Sequence, residues 1–209
     1  MNIALAPTSY FPRSGGVSVA VRNLAGAFVQ KGHTVVIITP RLDESQPSYE
    51  VLDGIGIHRM RFVLPWRLLW QNPEEGLFRF LLHGPGAVKR LVHLIRQKRI
   101  EVINVHHFGP QLPYLLFAQL FTNAQAVLTL HGTEFFRLHP SSDWMRRFLV
   151  EYSLRRAKWV IAASSHSSGE IARLCPEASR RTVRISNGVA VDEFSGADRP
   201  SFRPPYILS

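Results

Sequence analysis

The feature that most constrains the fold is a regular alternation of short apolar runs with longer segments of helical periodicity. The helical segments lie at 17–31, 77–99, 113–121, 144–157 and 167–174, and the apolar runs at 2–6, 35–39, 57–63, 102–105, 126–130, 159–163 and 182–185. Such alternation is typical of a mostly parallel sheet with helices on both faces. The sequence therefore predicts an α/β, Rossmann-like three-layer domain of about seven strands. Within 77–99 we expect the helix to break or restart at Gly84-Pro85-Gly86.

Composition narrows the class of protein. The 209 residues carry 25 Lys+Arg against 15 Asp+Glu, a net charge of +10, and 45% are hydrophobic, which is enough for a core. A single cysteine, Cys175, argues against a disulfide framework and a cysteine zinc site. No apolar run reaches the roughly 18 residues of a membrane span. Met1–Ala6 is too short for a signal peptide, so a cytoplasmic protein is expected.

The positive charge fits an anionic membrane face, a phosphate-bearing substrate or a nucleic acid. Neither a base-reading helix nor an aromatic strand motif supports nucleic acid. The charge is densest between Arg61 and Arg99, where Arg67, Trp70, Lys89, Arg90 and Arg96 are candidates for a membrane or acceptor surface. The alternative is a solvated helix face whose neighbouring aromatics belong to the core.

Ligands of open parallel sheets bind beyond the carboxyl ends of the strands. One such loop, Ser14-Gly15-Gly16, precedes the first helix, whose free N–H groups suit an anion. It is either a ligand loop or a flexible connection. The Gly-x-Gly-x-x-Gly fingerprint and the Gly-Lys-Ser/Thr phosphate loop are both absent, which argues against a nicotinamide dehydrogenase or another nucleotide-binding enzyme of this fold.

Histidines and small polar residues follow the later strands. His131 comes directly after a buried strand, where its imidazole would bond a sugar hydroxyl, act as a base or cap the strand end. Its neighbours Gly132, Thr133 and Glu134 are substrate-binding candidates. Of His106 and His107, which should point apart, we expect one to face the cleft and favour His107. Ser164 or Ser165 is expected to cap a helix, and Ser164 is also a substrate-binding candidate.

Together these segments resemble the N-terminal half of retaining GT-B glycosyltransferases of family 4. The resemblance rests on a series of short motifs in the family's order and spacing: Met1-Asn2-Ile3-Ala4, Pro12-x-x-Gly15-Gly16, Lys31-Gly32-His33 before the second strand, Val102-Ile103-Asn104-Val105-His106, Leu130-His131-Gly132-Thr133-Glu134, Ala163-Ser164-Ser165 and Ile185-Ser186-Asn187-Gly188-Val189 leading to Phe194. It implies transfer of a sugar from a nucleotide-sugar donor to an acceptor with retention, without a metal or other cofactor. By matching, Gly15 and Gly16 would approach the donor phosphates, and His131, the catalytic candidate, would lie by the transferred sugar. Asn187, a further substrate-binding candidate, would mark the crossing to a second domain.

The resemblance also implies two parts within the chain. Residues 1–197 would form the acceptor-side domain, and 198–209 a linker and the first strand of a C-terminal nucleotide-sugar domain. The family's basic residues for the diphosphate and its paired glutamates would lie in that second domain, so we expect the chain alone to transfer sugar poorly or not at all. The alternative is a non-catalytic, membrane- or acceptor-binding module that works with a separate catalytic subunit, peripheral at the inner face of the membrane.

Overall fold

The fold is a single eight-stranded sheet with helices packed on it. In this computed structural model, residues 1–13, 15–63, 73–132 and 144–188 are described, with 73–80 and 144–146 described as backbone only. The strands are β1 (Asn2–Ala6), β2 (Thr34–Pro40), β3 (Tyr49–Leu52), β4 (Ile55–Met60), β5 (Val102–His106), β6 (Gln125–Leu130), β7 (Trp159–Ala162) and β8 (Thr182–Arg184). The helices are α1 (Gly16–Gln30), α2 (Pro73–Gln97), α3 (Gln111–Gln119), α4 (Trp144–Arg156), α5 (Ser165–Leu174) and α6 (Pro176–Ser179).

The strand order is β3-β4-β2-β1-β5-β6-β7-β8, and every neighbouring pair is parallel except β3 and β4. The predicted α/β class and mostly parallel sheet are confirmed. The sheet has one strand more than the seven individually predicted, because the edge strand β3 has no counterpart among them. Its residues alternate between exposed and half-buried positions, so it has no apolar run. It pairs with β4 through the turn at Asp53-Gly54, where both residues have positive φ.

Two predicted boundaries also need correction. The strand expected at 57–63 ends at Met60. The helix α2 is continuous from Pro73 to Gln97, with Pro85 inside it, so the expected break is wrong. The residues that follow Pro85 explain this, because Ala87, Leu91 and Ile95 are buried at helical spacing. Packing of this apolar stripe outweighs the local helix-breaking signal.

The core lies on both faces of the sheet. On one face α1 buries Val21 and Ala25 in a cluster with Ile37 and Ile57. On the other, α2 and α3 pack in the larger cluster, which contains Leu91. Since β1 and β2 contribute alternate residues to the two clusters, both faces of these strands are covered by apolar side chains. None of the described helices is long and apolar enough to cross a bilayer.

Candidate functional site at the carboxyl edge of the sheet

A cluster of three histidines forms where β5 and β6 end. His106 Nδ1 lies 3.2 Å from His131 Nε2, at hydrogen-bond distance. The ring centroids of His106 and His107 lie 5.5 Å and 5.3 Å from that of His131, in both cases with the rings stacked. His106 is buried at 2% exposure, whereas His107 and His131 are half-buried. The edge therefore presents a stacked imidazole group with one member fixed in the core.

The expectation that His106 and His107 point apart is wrong. Strict alternation holds only while the backbone stays extended, and His107 has a φ of 69°. This left-handed residue ends the strand and brings both rings against His131. His107, which the sequence favoured, stacks on His131, and His106 in addition places its Nδ1 at hydrogen-bond distance from His131 Nε2.

Asn187 reaches the same cluster from the far side. Its Nδ2 lies 3.4 Å from His131 Nδ1, although 56 residues separate the two. Asn187 follows β8 by three positions, and β7 lies between β6 and β8 in the sheet. The sequence placed Asn187 at the crossing out of the domain, but its contact with His131 depends on the strand order.

The turn after β6 and the start of α5 pack closely. Gly132 is buried with a φ of 108°, and a Cβ built there would lie 3.1 Å from Ser167 Oγ. Ser164 caps α5, because its Oγ accepts a hydrogen bond of 3.1 Å from the Ser167 backbone N–H. Capping by Ser164 or Ser165 was predicted, and the structure assigns it to Ser164. Its partner Ser167, which is fully buried, was not singled out from the sequence.

The glycine loop lies at the carboxyl end of β1. Gly15 is the N-cap of α1 and has extended backbone, and no side chain caps the helix. A Cβ built at Gly15 or Gly16 would meet no atom within 4 Å. Among the described residues, packing therefore does not require glycine at these two positions, and they leave open space in front of the helix N-terminus, where N–H groups favour an anion.

A buried arginine holds this loop and escaped the sequence reasoning. Arg59 Nη2 donates hydrogen bonds to the Phe11 carbonyl at 2.6 Å and to Glu50 Oε1 at 2.5 Å. Its side chain is only 1% exposed, against 36% for that of Glu50. Tyr10 precedes Phe11 in the same loop. Burial raises the pKa of the Tyr10 phenol, and the positive charge of Arg22 acts in the opposite direction on that pKa. A signal was available in the sequence, since a charged residue at an alternate, inward position of a strand is uncommon.

The basic residues of α2 lie on the outer face of the helix. Lys89, Arg90 and Arg96 are exposed, and so are Leu81 and Leu82 at the start of the described side chains. For this part of the segment, the reading as a solvated helix face agrees with the structure. The other candidates Arg67, Trp70, Thr133 and Glu134, together with Ser14 and residues 198–209, lie outside the described residues.

The metal-binding capacity of the described residues is limited. Among them, no group of three or more His, Cys, Asp or Glu side chains is placed to hold a metal ion. The lone Cys175 is buried, and its thiol donates to Glu177 Oε2 at 3.3 Å.

Taken together, the carboxyl edge of the sheet offers the imidazoles of the histidine cluster, the Asn187 amide, the N–H groups of α1 and the open glycine loop to a polar, anionic ligand.

Comparison with solved structures gives the class of fold: the chain has the fold of one half of a GT-B glycosyltransferase. Among solved structures it is similar to sucrose-phosphate synthase from Thermosynechococcus elongatus, with a TM-score of 0.64 and 21% identity over 91% of this chain and 49% of that one. It is also similar to Anabaena HepE in complex with UDP, with a TM-score of 0.60 and 16% identity over 92% of this chain and 45% of that one.

The sequence comparison identifies the family. A sequence model of Glycosyltransferase Family 4 matches residues 14–193, and the chain belongs to this family. A 2-deoxystreptamine N-acetyl-D-glucosaminyltransferase of Niallia circulans is 26% identical over 62% of this chain and 33% of its own length. An uncharacterized glycosyltransferase of Methanocaldococcus jannaschii is 26% identical over 93% of this chain and 48% of its own length. The chain thus spans half or less of the length of these relatives.

Proposed function

We propose that this chain is the acceptor-side domain of a retaining glycosyltransferase that moves a sugar from a nucleotide-sugar donor to an acceptor. The observation that carries the proposal is the convergence at one sheet edge of the glycine loop and the His131–Asn187 pair, in a chain whose residues 14–193 match the family. The neighbour HepE, in complexes with UDP and with UDP-glucose, supports a nucleotide-sugar donor. The sugar and the acceptor are left to the assay below.

The glycine loop is proposed to receive the donor diphosphate. The absence of any atom within 4 Å of a Cβ at Gly15 or Gly16 would let phosphate oxygens approach the backbone closely. The positive end of α1 would favour their charge. Arg59 supports this arrangement from behind, because its bond to the Phe11 carbonyl fixes the entry of the loop.

The chemistry required of the edge is electrostatic. Cleaving a glycosidic bond to a diphosphate develops positive charge at the anomeric carbon and negative charge on the leaving group. Groups fixed before the reaction stabilise such charges without reorganisation. His131, His107 and Gly132 would line the sugar side, with Thr133 and Glu134 next in the chain. No metal is proposed, because helix N–H groups and basic residues would neutralise the diphosphate.

A second domain is part of the proposal. Residues 198–209 would lead into it, and it would supply the nucleotide pocket. Residues 1–209 alone should then bind donor weakly and transfer sugar little or not at all. The share of the relatives' length that the chain covers, 33% and 48%, supports this division.

The test compares residues 1–209 with the native gene product. An immunoblot first measures the mass of the native gene product, which is compared with the 23.7 kDa of this chain. Both are assayed with a panel of nucleotide sugars for transfer and for release of nucleoside diphosphate. We expect the native gene product to be heavier than this chain and to transfer sugar. A Gly16→Val variant of the native gene product should lose donor affinity. Gly26→Ala on α1, also without atoms within 4 Å, is the matched control. Robust turnover by residues 1–209, or no nucleotide-sugar binding by the native product, would refute the proposal.

A second candidate function is supported by the outer face of α2. Lys89, Arg90 and Arg96 are exposed on the same helix as Leu81 and Leu82, a combination suited to an anionic membrane surface. The domain would then be a non-catalytic membrane- or acceptor-binding module for a separate catalytic subunit.

Co-sedimentation with vesicles tests this membrane contact. We expect binding to vesicles containing phosphatidylserine to fall in a Lys89→Glu/Arg90→Glu variant. It should persist in a Lys31→Glu/Arg180→Glu variant, which makes an equal charge change at two exposed positions outside α2. Equal binding to neutral vesicles, or no loss in the α2 variant, would remove the candidate.

A further inference from the structure

The hydrogen bonds around His131 define where its proton lies. A neutral imidazole has one N–H and one nitrogen that accepts. The amide Nδ2 of Asn187 is a donor only, so across its 3.4 Å contact the accepting nitrogen is His131 Nδ1. The ring proton is then on Nε2, which donates to His106 Nδ1 at 3.2 Å. Both ring nitrogens of His131 are engaged within the chain.

The same reasoning continues to His106. Because its Nδ1 accepts from His131, the neutral ring of His106 carries its proton on Nε2 as well. His106 is 2% exposed at the end of β5, so its ring is held by the core. Asn187, by contrast, is exposed and follows β8. The His131 imidazole therefore bridges a fixed acceptor on one strand and a donor on the segment that leaves the sheet.

We propose that Asn187 and His106 are positioning residues that hold His131 in its Nε2-protonated tautomer. In this arrangement His131 offers the site a fixed ring and a fixed backbone turn before Gly132, not a nitrogen that takes up a proton. Placing His131 beside the transferred sugar rests on the proposed function, but the tautomer does not. Of the roles that the sequence leaves open to the His131 imidazole (a base, a ligand of a sugar hydroxyl or a cap), a fixed tautomer with both nitrogens engaged disfavours the base.

The tautomer can be read directly by nuclear magnetic resonance. Residues 1–209 are labelled with ¹⁵N-histidine, and long-range ¹H–¹⁵N spectra are recorded at about pH 8, above the ordinary histidine pKa. A His131→Gln variant assigns the His131 signals, and a His106→Gln variant those of His106. We expect both residues to show a protonated Nε2 and an unprotonated Nδ1.

An Asn187→Asp variant sharpens the test. The carboxylate has nearly the shape of the amide but only accepts, so Nδ1 of His131 must become protonated, as the other tautomer or as imidazolium. Its ¹⁵N shift should move from the range of an unprotonated nitrogen to that of a protonated one. Asn123→Asp, an equal charge change at an exposed position before β6, should leave the His131 signals unchanged. Since Asn187 is exposed, the variant is expected to fold.

Two results would overturn the proposal: a protonated Nδ1 on His131 or His106 in the unaltered chain, or Asn187→Asp signals identical to those of the unaltered chain. A second readout uses the native gene product. If His131 only positions, Asn187→Ala should lower kcat and leave the shape of the pH–rate profile unchanged, whereas loss of a limb of that profile would show proton transfer. The spectra stand whether or not transferase activity is found, so failure of the proposed function is distinguishable from failure of the tautomer.

Discussion

Replacing Gly109 by alanine adds a methyl group where the loop between β5 and α3 has no room. The new Cβ would lie 2.3 Å from Thr8 Cγ2 and 2.4 Å from Gln111 Oε1. Two carbons in ordinary contact are about 3.5 Å apart, so the loop or its neighbours must move by over about an ångström. Gln111 cannot swing aside easily, because it is fully buried and its Nε2 donates to the Ala6 carbonyl at 3.3 Å.

The expected cost follows from this geometry. Overpacking a filled site costs about 1–3 kcal/mol, and straining the Gln111–Ala6 hydrogen bond adds up to about 1 kcal/mol. A loss near 2 kcal/mol in the free energy of unfolding corresponds to a drop of about 4–8 °C in Tm for a chain of this size. The clash also lies two residues beyond His107, so the stacking of His107 on His131 should be disturbed as well.

Urea and thermal unfolding followed by circular dichroism measure the effect. Gly169→Ala is the matched control, because a Cβ there meets nothing within 4 Å and the residue lies in α5. That variant should be more stable by about 0.5–1 kcal/mol, from helix propensity. Thr8→Ser, which removes one clashing methyl, should restore part of the stability of Gly109→Ala. A Gly109→Ala protein as stable as the unaltered chain would refute the reasoning.

Three further outcomes are expected. Glu50→Gln should destabilise the chain by about 2 kcal/mol because it leaves the buried Arg59 without its carboxylate, while Glu44→Gln at an exposed pair should change little; equal effects in urea unfolding would contradict this. Ser164→Ala should cost about 1 kcal/mol through loss of the α5 cap, with Ser164→Thr keeping most of it, and an unchanged Tm in the alanine variant would refute the capping role. Burial lowers the pKa of His58 in the folded chain below its unfolded value, so stability should be full above about pH 6.5 and fall as the pH drops through the folded pKa. In His58→Gln this pH dependence of urea unfolding should weaken, and an identical profile would show that other groups produce it.

Much of the fold is readable from local periodicity. The strand Thr34–Pro40 is mostly apolar, and such a strand must be covered on both faces. The apolar residues of α1, among them Val21 and Ala25, recur at helical spacing and therefore face the sheet together. The strand β3 and the passage of α2 through Pro85 were not readable in this way. The strand β3 depends on its pairing with β4, and the passage of α2 through Pro85 depends on the packing of its buried residues in the core. Such tertiary contacts can override a local preference.

The candidate site divides in the same way. Its location at the carboxyl edge follows from the sequence, because Gly15, Gly16, His107, His131 and Ser164 each lie in a segment that follows a predicted strand. That edge is where open parallel sheets bind ligands. The contacts within the site do not follow from it. Asn187 meets His131 across 56 residues, and Arg59 meets the Phe11 carbonyl across 48. Such pairs are set by the strand order and register, which arise only when the whole sheet assembles, and they decide which nitrogen of His131 carries its proton.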